Sequence, residues 1–393
     1  MSSTLISRNE DLKRLRDEGY AVSIQSGYLL VADVPYVNTS AEIKRGTLVS
    51  TLSLNGNTTN PPDTHVVMFI GDYPCDQNGI PLEKIKSGEA QRLTDELTVN
   101  YSFSSKPSVG YKDYREKMTA YVAILESQAQ AINPDITAKT HPPFAVGDED
   151  SVFHYVDTAT SRAKLGVIND KLKLSKIAII GLGGTGSYVL DLVAKTPVME
   201  IHLFDGDDFS SHNAFRAPGA ASLEQLEAKP TKVQHLHDEY STMRKGIIVH
   251  EYALDETNVG ELEGMDFVFL CVDEGSAKRI IVEQLETLDI PFVDVGMGVD
   301  RTDDTLGGIV RATLSLPNRR EHFRDRVSLG DVDAENEYDE NIQIADLNAL
   351  NAAMAVIRWK KLFGFYRDLA DTLHSSYTID TNSLLSEDGP DEA

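Results

Sequence analysis

Beyond residue 150, short apolar segments alternate with amphipathic ones along the chain. The apolar segments are rich in Ile, Val, Leu and Phe, and this pattern predicts strands over 176–180, 200–204, 246–252, 267–272 and 291–295. Between them, the segments 187–195 and 277–288 carry apolar residues at helical spacing. Strands that alternate with helices form a mostly parallel sheet with helices on both faces. A last long helix is predicted from the apolar stripe formed by Leu347, Leu350, Met354, Ile357 and Leu362.

The first 150 residues show a different pattern. Segments rich in Val, Ile, Leu, Tyr and Thr, separated by turn-forming residues, predict antiparallel strands over 21–34, 46–54 and 65–71. Helical spacing follows over 114–132, whereas 133–150 has no periodicity. We therefore predict a smaller α+β domain over 1–150, an α/β Rossmann-like domain over 151–385, and an acidic, disordered tail over 386–393.

Charge and cysteine content narrow the classes of function. The chain has 62 Asp and Glu against 37 Lys and Arg, a formal net charge of -25, which disfavours nucleic acid and anionic lipid as partners. No apolar segment approaches the roughly 20 residues of a membrane span, and the first 20 residues have no apolar core of the length that a signal peptide needs, so we expect neither feature. We expect a soluble protein of the cytoplasm.

The only two cysteines, Cys75 and Cys271, lie far apart, which excludes a disulfide framework and a zinc site of paired thiolates.

The densest chemical signal follows the first strand predicted in the second domain. Residues 176–180 run directly into a loop and then a helix, and that loop contains Gly181, Gly183, Gly184 and Gly186. Glycines permit a tight turn and a close approach of the backbone to phosphate, and the N–H groups that begin a helix attract an anion. The motif predicts a nucleotide site, for which a dinucleotide and ATP are equally good candidates.

The next predicted strand ends in Asp205, at the place where a Rossmann-like domain carries the carboxylate that binds ribose hydroxyls. Several polar residues follow it, namely Asp207, His212, Asn213 and Arg216. Hydride transfer to a nicotinamide has no evident use for an amide and a guanidinium here. This segment therefore favours ATP over a dinucleotide.

At these residues the chain resembles the ubiquitin-activating superfamily, the E1-like adenylyltransferases of the ThiF and MoeB type. That superfamily carries G-x-G-G-x-G, then D-x-D, then N-x-x-R, and the match covers Gly181, Gly183, Gly184, Gly186, Asp205, Asp207, Asn213 and Arg216. Further resemblances lie at Lys232, at Asp273 and at Arg162. The chain departs from the pattern at Ala217, where the superfamily usually has Gln, and at Glu274, where it has Asn.

The resemblance implies a bacterial enzyme that uses ATP and Mg²⁺ to adenylate the C-terminal carboxylate of a ubiquitin-like protein. It assigns Arg216, Lys232 and Arg162 to phosphate charge, with Arg162 reaching the site of the other subunit in a homodimer. It assigns Asp205 to ribose, Asp273 to Mg²⁺ and Asn213 to orienting phosphate or backbone. The remaining candidates for nucleotide contact are Asp207, His212 and Glu274.

Cys75 is the candidate for carrying a thioester. Many members of the superfamily have a thioester-forming cysteine, or a zinc held by paired cysteines, in the region that corresponds to 299–342, and this chain has no cysteine there. Cys75 follows a predicted strand within a turn-forming loop, where we expect an exposed thiol that can ionise. The first domain resembles one that precedes E1-like domains in bacterial conjugation operons. That likeness implies a protein-interaction module, with an E2-like protein as a candidate partner.

Three other interpretations remain open at this point. A nicotinamide-dependent oxidoreductase needs only the glycine loop and Asp205. An adenylating enzyme for a sulfur carrier or for tRNA belongs to the same superfamily, although the net charge of -25 disfavours tRNA. A non-catalytic scaffold with an E1-like fold is expected to have lost Arg162, Lys232 or Asp273, and the chain retains them.

Overall fold

The structure is a computed structural model, and it describes residues 2–144, 151–163, 165–273, 275–330 and 342–387, without the side chains of 2–4, 161 and 162. The chain divides into two compact units. The first comprises Met1–Ser151 and Tyr155–Lys164, and the second comprises Val152–His154 and Leu165–Ala393. No helix among the described residues is both long and apolar enough to cross a bilayer.

The first unit is an α+β structure. Its helices are α1 Ser2–Arg8, α2 Glu10–Asp17, α3 Tyr114–Gln130 and α4 Thr158–Ala163. Its strands are β1 Ala21–Gln25, β2 Tyr28–Val37, β3 Ile43–Thr51, β4 Leu54–Asn55, β5 Thr58–Thr59, β6 Val66–Ile70, β7 Lys86–Gly88, β8 Gln91–Arg92, β9 Thr98–Val99 and β10 Tyr101–Ser104. The main sheet has the order β1-β2-β3-β6-β10-β7, and its pairs are antiparallel.

Helix α3 packs on this sheet because one of its faces is apolar. Met118, Tyr121 and Leu125 recur at helical spacing and are buried against Phe69 and Phe103 of the sheet. Asp113 caps the helix, since its carboxylate accepts a hydrogen bond from the Glu116 backbone N–H at 2.8 Å. The prediction of a helix over this segment is confirmed.

The second unit is the predicted α/β structure. Its helices are α5 Gly166–Asn169, α6 Gly184–Val193, α7 Ser211–Ala214, α8 Leu223–Glu227, α9 Lys232–Tyr240, α10 Gly275–Thr287, α11 Glu321–Arg326 and α12 Ala345–Leu362. Its strands are β11 Lys176–Ile180, β12 Glu200–Phe204, β13 Ile247–His250, β14 Phe267–Leu270, β15 Phe292–Thr302, β16 Thr305–Ser315, β17 His374–Thr378 and β18 Ser383–Glu387.

These strands form one mixed sheet in the order β13-β12-β11-β14-β15-β16-β17-β18. The strands from β13 to β15 run parallel, so their carboxyl ends meet at one edge. Each face of the sheet is covered by a hydrophobic core, one containing Trp359 of α12 and the other Ile281 of α10. The sequence predicted this Rossmann-like arrangement because strands buried on both faces are apolar throughout.

The antiparallel part of the sheet was not predicted. Strand β15 continues to Thr302 and turns at Asp303, which adopts a φ of +55°, into β16. Its continuation over 296–302 mixes Met297 and Val299 with glycines and polar residues and has no fully buried position, and therefore gives no sustained apolar signal. The predicted tail is also wrong at its start, because Ser386 and Glu387 pair with β17, whereas 388–393 lie outside the described residues.

Candidate active site

A cavity of about 320 Å³ opens at the carboxyl ends of β11, β12, β14 and β15. In parallel sheets with helices on both faces, this edge is where ligands bind. The predicted residues that line it are Gly181, Gly183, Gly184, Asp205, Asp207, Arg216, Lys232 and Asp273. The fold therefore brings together side chains that lie far apart in the sequence.

The glycine loop has a shape that a larger side chain would disturb. Gly181 has a φ of +85°, and a Cβ there would lie 2.7 Å from the carbonyl oxygen of Cys271. A Cβ on Gly186 would lie only 1.8 Å from the carbonyl oxygen of Gly181. Gly186 thus allows α6 to approach the strand. Gly183 lines the cavity and has open space where a Cβ would lie, whereas a Cβ on Gly184 would lie 2.0 Å from the amide nitrogen of Asn348. Gly183 therefore leaves room for a ligand beside the start of α6, and Gly184 leaves room for Asn348.

Asp205 organises the end of β12. The carboxylate is buried and accepts hydrogen bonds from the backbone N–H groups of Leu182, at 2.6 Å, and Asp207, at 2.9 Å. The first of these bonds ties it to the glycine loop. Its Oδ1 also lies 3.3 Å from Nζ of Lys232.

Lys232 is held at the first position of α9. Its backbone N–H donates to the Asp207 carbonyl at 2.9 Å, and Thr231 caps the helix by accepting from the Gln234 N–H. The buried Nζ lies 2.5 Å from Oδ2 of Asp207, whose side chain is 77% exposed. An anion in the cavity can therefore replace the solvated carboxylate of Asp207 as the partner of this ammonium group.

Arg216 lines the cavity, but its neighbours in the motif do not all do so. Among the described residues, the buried Nε of Arg216 has no hydrogen-bond partner. Asn213 is buried in α7, where its Oδ1 accepts from the Ser210 N–H at 3.0 Å and so closes that helix's capping box. Exposed His212 lies 2.7 Å from the Ser210 hydroxyl. Neither Asn213 nor His212 is part of the cavity lining.

Asp273 follows β14 and accepts a hydrogen bond from Nε2 of Gln343 at 3.0 Å. Its neighbour Glu274 lies outside the described residues. Arg162 belongs to α4 in the first unit, and its side chain is likewise not described. In the described ranges, no group of three or more His, Cys, Asp or Glu side chains is placed to hold a metal ion.

The expectation that Cys75 is exposed is wrong. Its side chain is 1% exposed, and Sγ donates to the Tyr73 carbonyl at 3.4 Å, because the turn folds the thiol inwards. Burial, and secondarily the charge of Asp76, raises the pKa of this thiol. Burial also raises the pKa of the Cys271 thiol. The role of Cys75 as a thioester carrier stays a prediction.

The sequence interpretation missed the wall that α12 contributes. Gln343, Asn348 and Asn351 line the cavity together with Gly296 of β15. Asn348 joins two predicted parts of the site, since its Oδ1 accepts from the Thr185 hydroxyl at 2.9 Å and its Nδ2 lies 3.5 Å from the Arg216 carbonyl. Asn348 and Asn351 are three residues apart within the otherwise apolar stretch 347–357 of α12, and this is the signal that could have identified them.

Comparison with protein families identifies the second half of the chain. The model of the ThiF family matches residues 160–357. The chain belongs to the ThiF family. A separate match, to a Domain of unknown function (DUF6791), covers residues 10–158. The resemblance to E1-like adenylyltransferases predicted from the motifs is thereby confirmed.

Individual relatives of this ThiF-family chain are distant. Ubiquitin-like modifier-activating enzyme 5 of Bombyx mori is 24% identical over 146 residues, which are 34% of this chain and 37% of the relative. The tRNA threonylcarbamoyladenosine dehydratase of Haemophilus influenzae is 24% identical over 140 residues, 34% of this chain and 52% of the relative. The chain thus spans about a third to a half of these relatives.

The solved structures to which this chain is similar include that of E. coli MccB with ATP. It is 18% identical, the match covers 57% of this chain and 66% of that one, and the TM-score is 0.45.

Proposed function

We propose that this protein transfers AMP from ATP to the C-terminal carboxylate of a ubiquitin-like protein and releases pyrophosphate. The observation that carries the proposal is the convergence of Lys232 and Arg216 on the cavity that the glycine loop lines. Two cations beside a cradle of backbone N–H groups suit a triphosphate, whose charge they neutralise. A nicotinamide-dependent oxidoreductase leaves both cations without a role.

The chain's own groups fit ATP at this place. The carboxylate of Asp205 is fixed at the end of β12, where it can accept hydrogen bonds from ribose hydroxyls. The unpartnered Nε of Arg216 is a donor that a phosphate oxygen would satisfy. We propose that the exposed carboxylate of Asp207 pairs with the ammonium group of Lys232 before ATP binds. When ATP binds, its more highly charged phosphates replace this carboxylate as the partner of Lys232.

In the proposed reaction, a carboxylate oxygen of the protein substrate attacks the α-phosphorus in line. One bond forms from that oxygen to phosphorus, and the bond from phosphorus to the oxygen that bridges to the β-phosphate breaks, so pyrophosphate leaves with the electron pair. The nucleophile needs no general base, because a carboxylic acid is ionised at neutral pH. Lys232 and Arg216 act by stabilising the charge that accumulates on phosphate oxygens.

Mg²⁺ has a candidate ligand in Asp273, which lies at the end of β14 on the cavity wall. Hard carboxylate oxygens are the protein ligands that this ion prefers, and it usually takes only one or two of them beside phosphate and water. When bound, the ion would supply positive charge at the phosphates. Glu274 remains a candidate neighbour of that ligand.

Other assignments follow from the family resemblance. Arg162 is proposed to act on phosphate in the site of a second subunit, which requires a homodimer. Asn213 is proposed to hold the backbone that carries Arg216, since its side chain completes the capping box at the start of α7 and its carbonyl accepts the Arg216 N–H at 3.0 Å. Exposed His212 is retained as a candidate contact at the rim.

The protein substrate, the pathway and the further partner are also proposals. The name of the Bombyx mori relative supports a ubiquitin-like substrate, and we infer a bacterial conjugation pathway in the cytoplasm, with an E2-like protein as a further partner. The Haemophilus influenzae relative instead raises tRNA as the substrate. A net charge of -25 opposes that alternative, because tRNA binding is dominated by phosphate contacts.

The test is ATP–pyrophosphate exchange in the presence of Mg²⁺ and small β-grasp proteins that end in Gly. We expect exchange that depends on one such partner and falls at least about 100-fold in Arg216→Ala, because removal of one group that stabilises transition-state charge typically has this effect. Asp273→Ala should also lose exchange, and excess Mg²⁺ should restore part of it.

Arg324→Ala is the matched control. Arg324 lies on α11 of the same unit, where it forms a salt bridge with Glu286 of α10, and it is not part of the cavity lining. Its substitution therefore removes the same charge as Arg216→Ala without changing the cavity. Exchange that survives in Arg216→Ala at the level of this control would refute the proposal. Measurable NAD binding without any exchange would favour the oxidoreductase instead.

A further inference from the structure

Asn351 carries a buried hydrogen-bond acceptor that no other described residue satisfies. The residue lies on α12, is 0% exposed and lines the cavity. Its Nδ2 donates to the carbonyl oxygen of Gly296 at 3.0 Å. Its Oδ1 has no hydrogen-bond partner among the described residues. An unsatisfied buried acceptor destabilises the protein, and a ligand that donates a hydrogen bond to it would relieve that penalty.

The orientation of this amide is determined by its surroundings. Because the Gly296 carbonyl can only accept, the nitrogen of the Asn351 amide must face it and the oxygen must point elsewhere. The backbone at Gly296 is itself confined, since a Cβ there would lie 2.6 Å from Cζ of Arg311. Arg311 in turn is anchored to buried Asp294 at 2.7 Å, and Lys278 lies 2.8 Å from the same carboxylate.

Asn351 contacts the cavity wall that β15 contributes, through its hydrogen bond to Gly296. Strands β12, β11, β14 and β15 are successive neighbours, so about 14 Å separates the strand that carries Asp205 from the one that carries Gly296. On the proposed function, the ribose of ATP binds at Asp205. The hydrogen-bond donors of ATP all belong to its adenosine, whereas its ionised phosphates only accept. The attacking carboxylate also only accepts.

Of the two reactants, the protein substrate is therefore the one that can offer a donor to Asn351 at this wall of the cavity, through the peptide N–H beside its reacting carboxylate. We propose that Oδ1 of Asn351 accepts the backbone N–H of the residue that carries the reacting carboxylate, and thereby selects a substrate with a peptide N–H at that position. This inference rests on the proposed function. It implies that a substrate ending in Pro, which has no N–H, is used less efficiently than one ending in Gly.

The decisive probe is a chemically synthesised β-grasp protein ending in Gly, prepared in two forms. One has the natural last peptide bond, and the other has an ester there, which replaces the N–H by oxygen and leaves the carboxylate unchanged. In pyrophosphate exchange with the wild-type protein, we expect the ester form to show about 3- to 10-fold lower kcat/KM, the ratio that one neutral hydrogen bond supplies.

Asn351→Leu should abolish this discrimination by lowering exchange with the peptide form to the level of the ester form. Asn348→Ala is the matched variant, because Asn348 is a second buried amide on the same helix whose oxygen is already bonded to Thr185. It should raise KM for ATP and keep the preference for the peptide form.

The outcomes separate the two proposals. Equal kcat/KM for the peptide and ester forms with the wild-type protein would overturn the role of Asn351 and leave the proposed function standing. The same holds if discrimination persists in Asn351→Leu. Absence of exchange with both forms would overturn the proposed function and this inference with it. The wild-type comparison needs no variant to fold.

Discussion

Replacing Gly186 by Ala should destabilise the second unit. The added Cβ would lie 1.8 Å from the carbonyl oxygen of Gly181, a backbone atom at the turn of the glycine loop, so α6 or the loop must move by more than 1 Å to reach ordinary contact. Overpacking of this kind typically costs about 1–3 kcal/mol. Alanine is favoured over glycine in a helix by about 1 kcal/mol, which offsets part of that cost. Because the contact is with backbone, which cannot move aside as a flexible side chain can, we expect the cost of overpacking at the upper end of that range, about 3 kcal/mol, and so a net loss of about 2 kcal/mol.

The chain offers a probe that reports on this unit alone. Trp359 is its single tryptophan, is fully buried and packs against Phe269 with ring centroids 5.8 Å apart. Urea unfolding followed by tryptophan fluorescence should therefore report on the second unit. With a urea dependence of about 1–3 kcal/mol per M, a loss of 2 kcal/mol lowers the midpoint by roughly 1 M.

Gly260→Ala is the control for this experiment. Gly260 lies in the 3₁₀ helix Val259–Leu262 of the same unit, and no heavy atom lies within 4 Å of the Cβ it would acquire. Its midpoint should remain unchanged or rise, since alanine restricts the unfolded chain. If Gly186→Ala unfolds at the midpoint of the control, the inference that Gly186 is required for the close approach of α6 is refuted.

Three further predictions address other parts of the chain. Asp205→Asn should weaken ATP binding, measured by calorimetry, at least about 10-fold, because a buried charge-assisted hydrogen-bond partner is lost. Asp208 is exposed, and Asp208→Asn should bind ATP as the wild type does. Equal affinities of Asp205→Asn and the wild type would contradict the assignment of Asp205 to ribose. Burial lowers the pKa of Lys117 from 10.5 to about 8, so the unfolded chain binds the extra proton between these values, and stability should rise with pH across that window. Lys117→Met should remove this rise in urea unfolding monitored by circular dichroism, and an unchanged pH dependence would show that another group causes it. Finally, neither Cys75 nor Cys271 should react promptly with a thiol reagent in the native protein, because burial raises both pKa values; rapid labelling of Cys75 would instead support a carrier role.

The amino-acid sequence by itself determined the α/β fold of the second half and the residues of its nucleotide motif. Apolar strands and the glycines from Gly181 to Gly186 are local signals, because a buried parallel strand must be apolar throughout and a tight turn tolerates no Cβ. The order of Asp205, Arg216 and Lys232 behind that loop carried the family resemblance. These features are encoded within short windows of the chain.

Tertiary structure alone decided which distant side chains meet. Asn351 faces Gly296 across 55 residues because α12 packs on β15, and neither segment carries a local signal of that contact. Packing likewise buried Cys75, which the turn residues around it had suggested was exposed. The second half of β15, over 296–302, mixes Met297 and Val299 with glycines and polar residues, so no hydrophobic periodicity indicated that the strand continues into an antiparallel pair. Its strands are held by pairing with one another, and such long-range hydrogen bonds leave no pattern in the sequence of either strand.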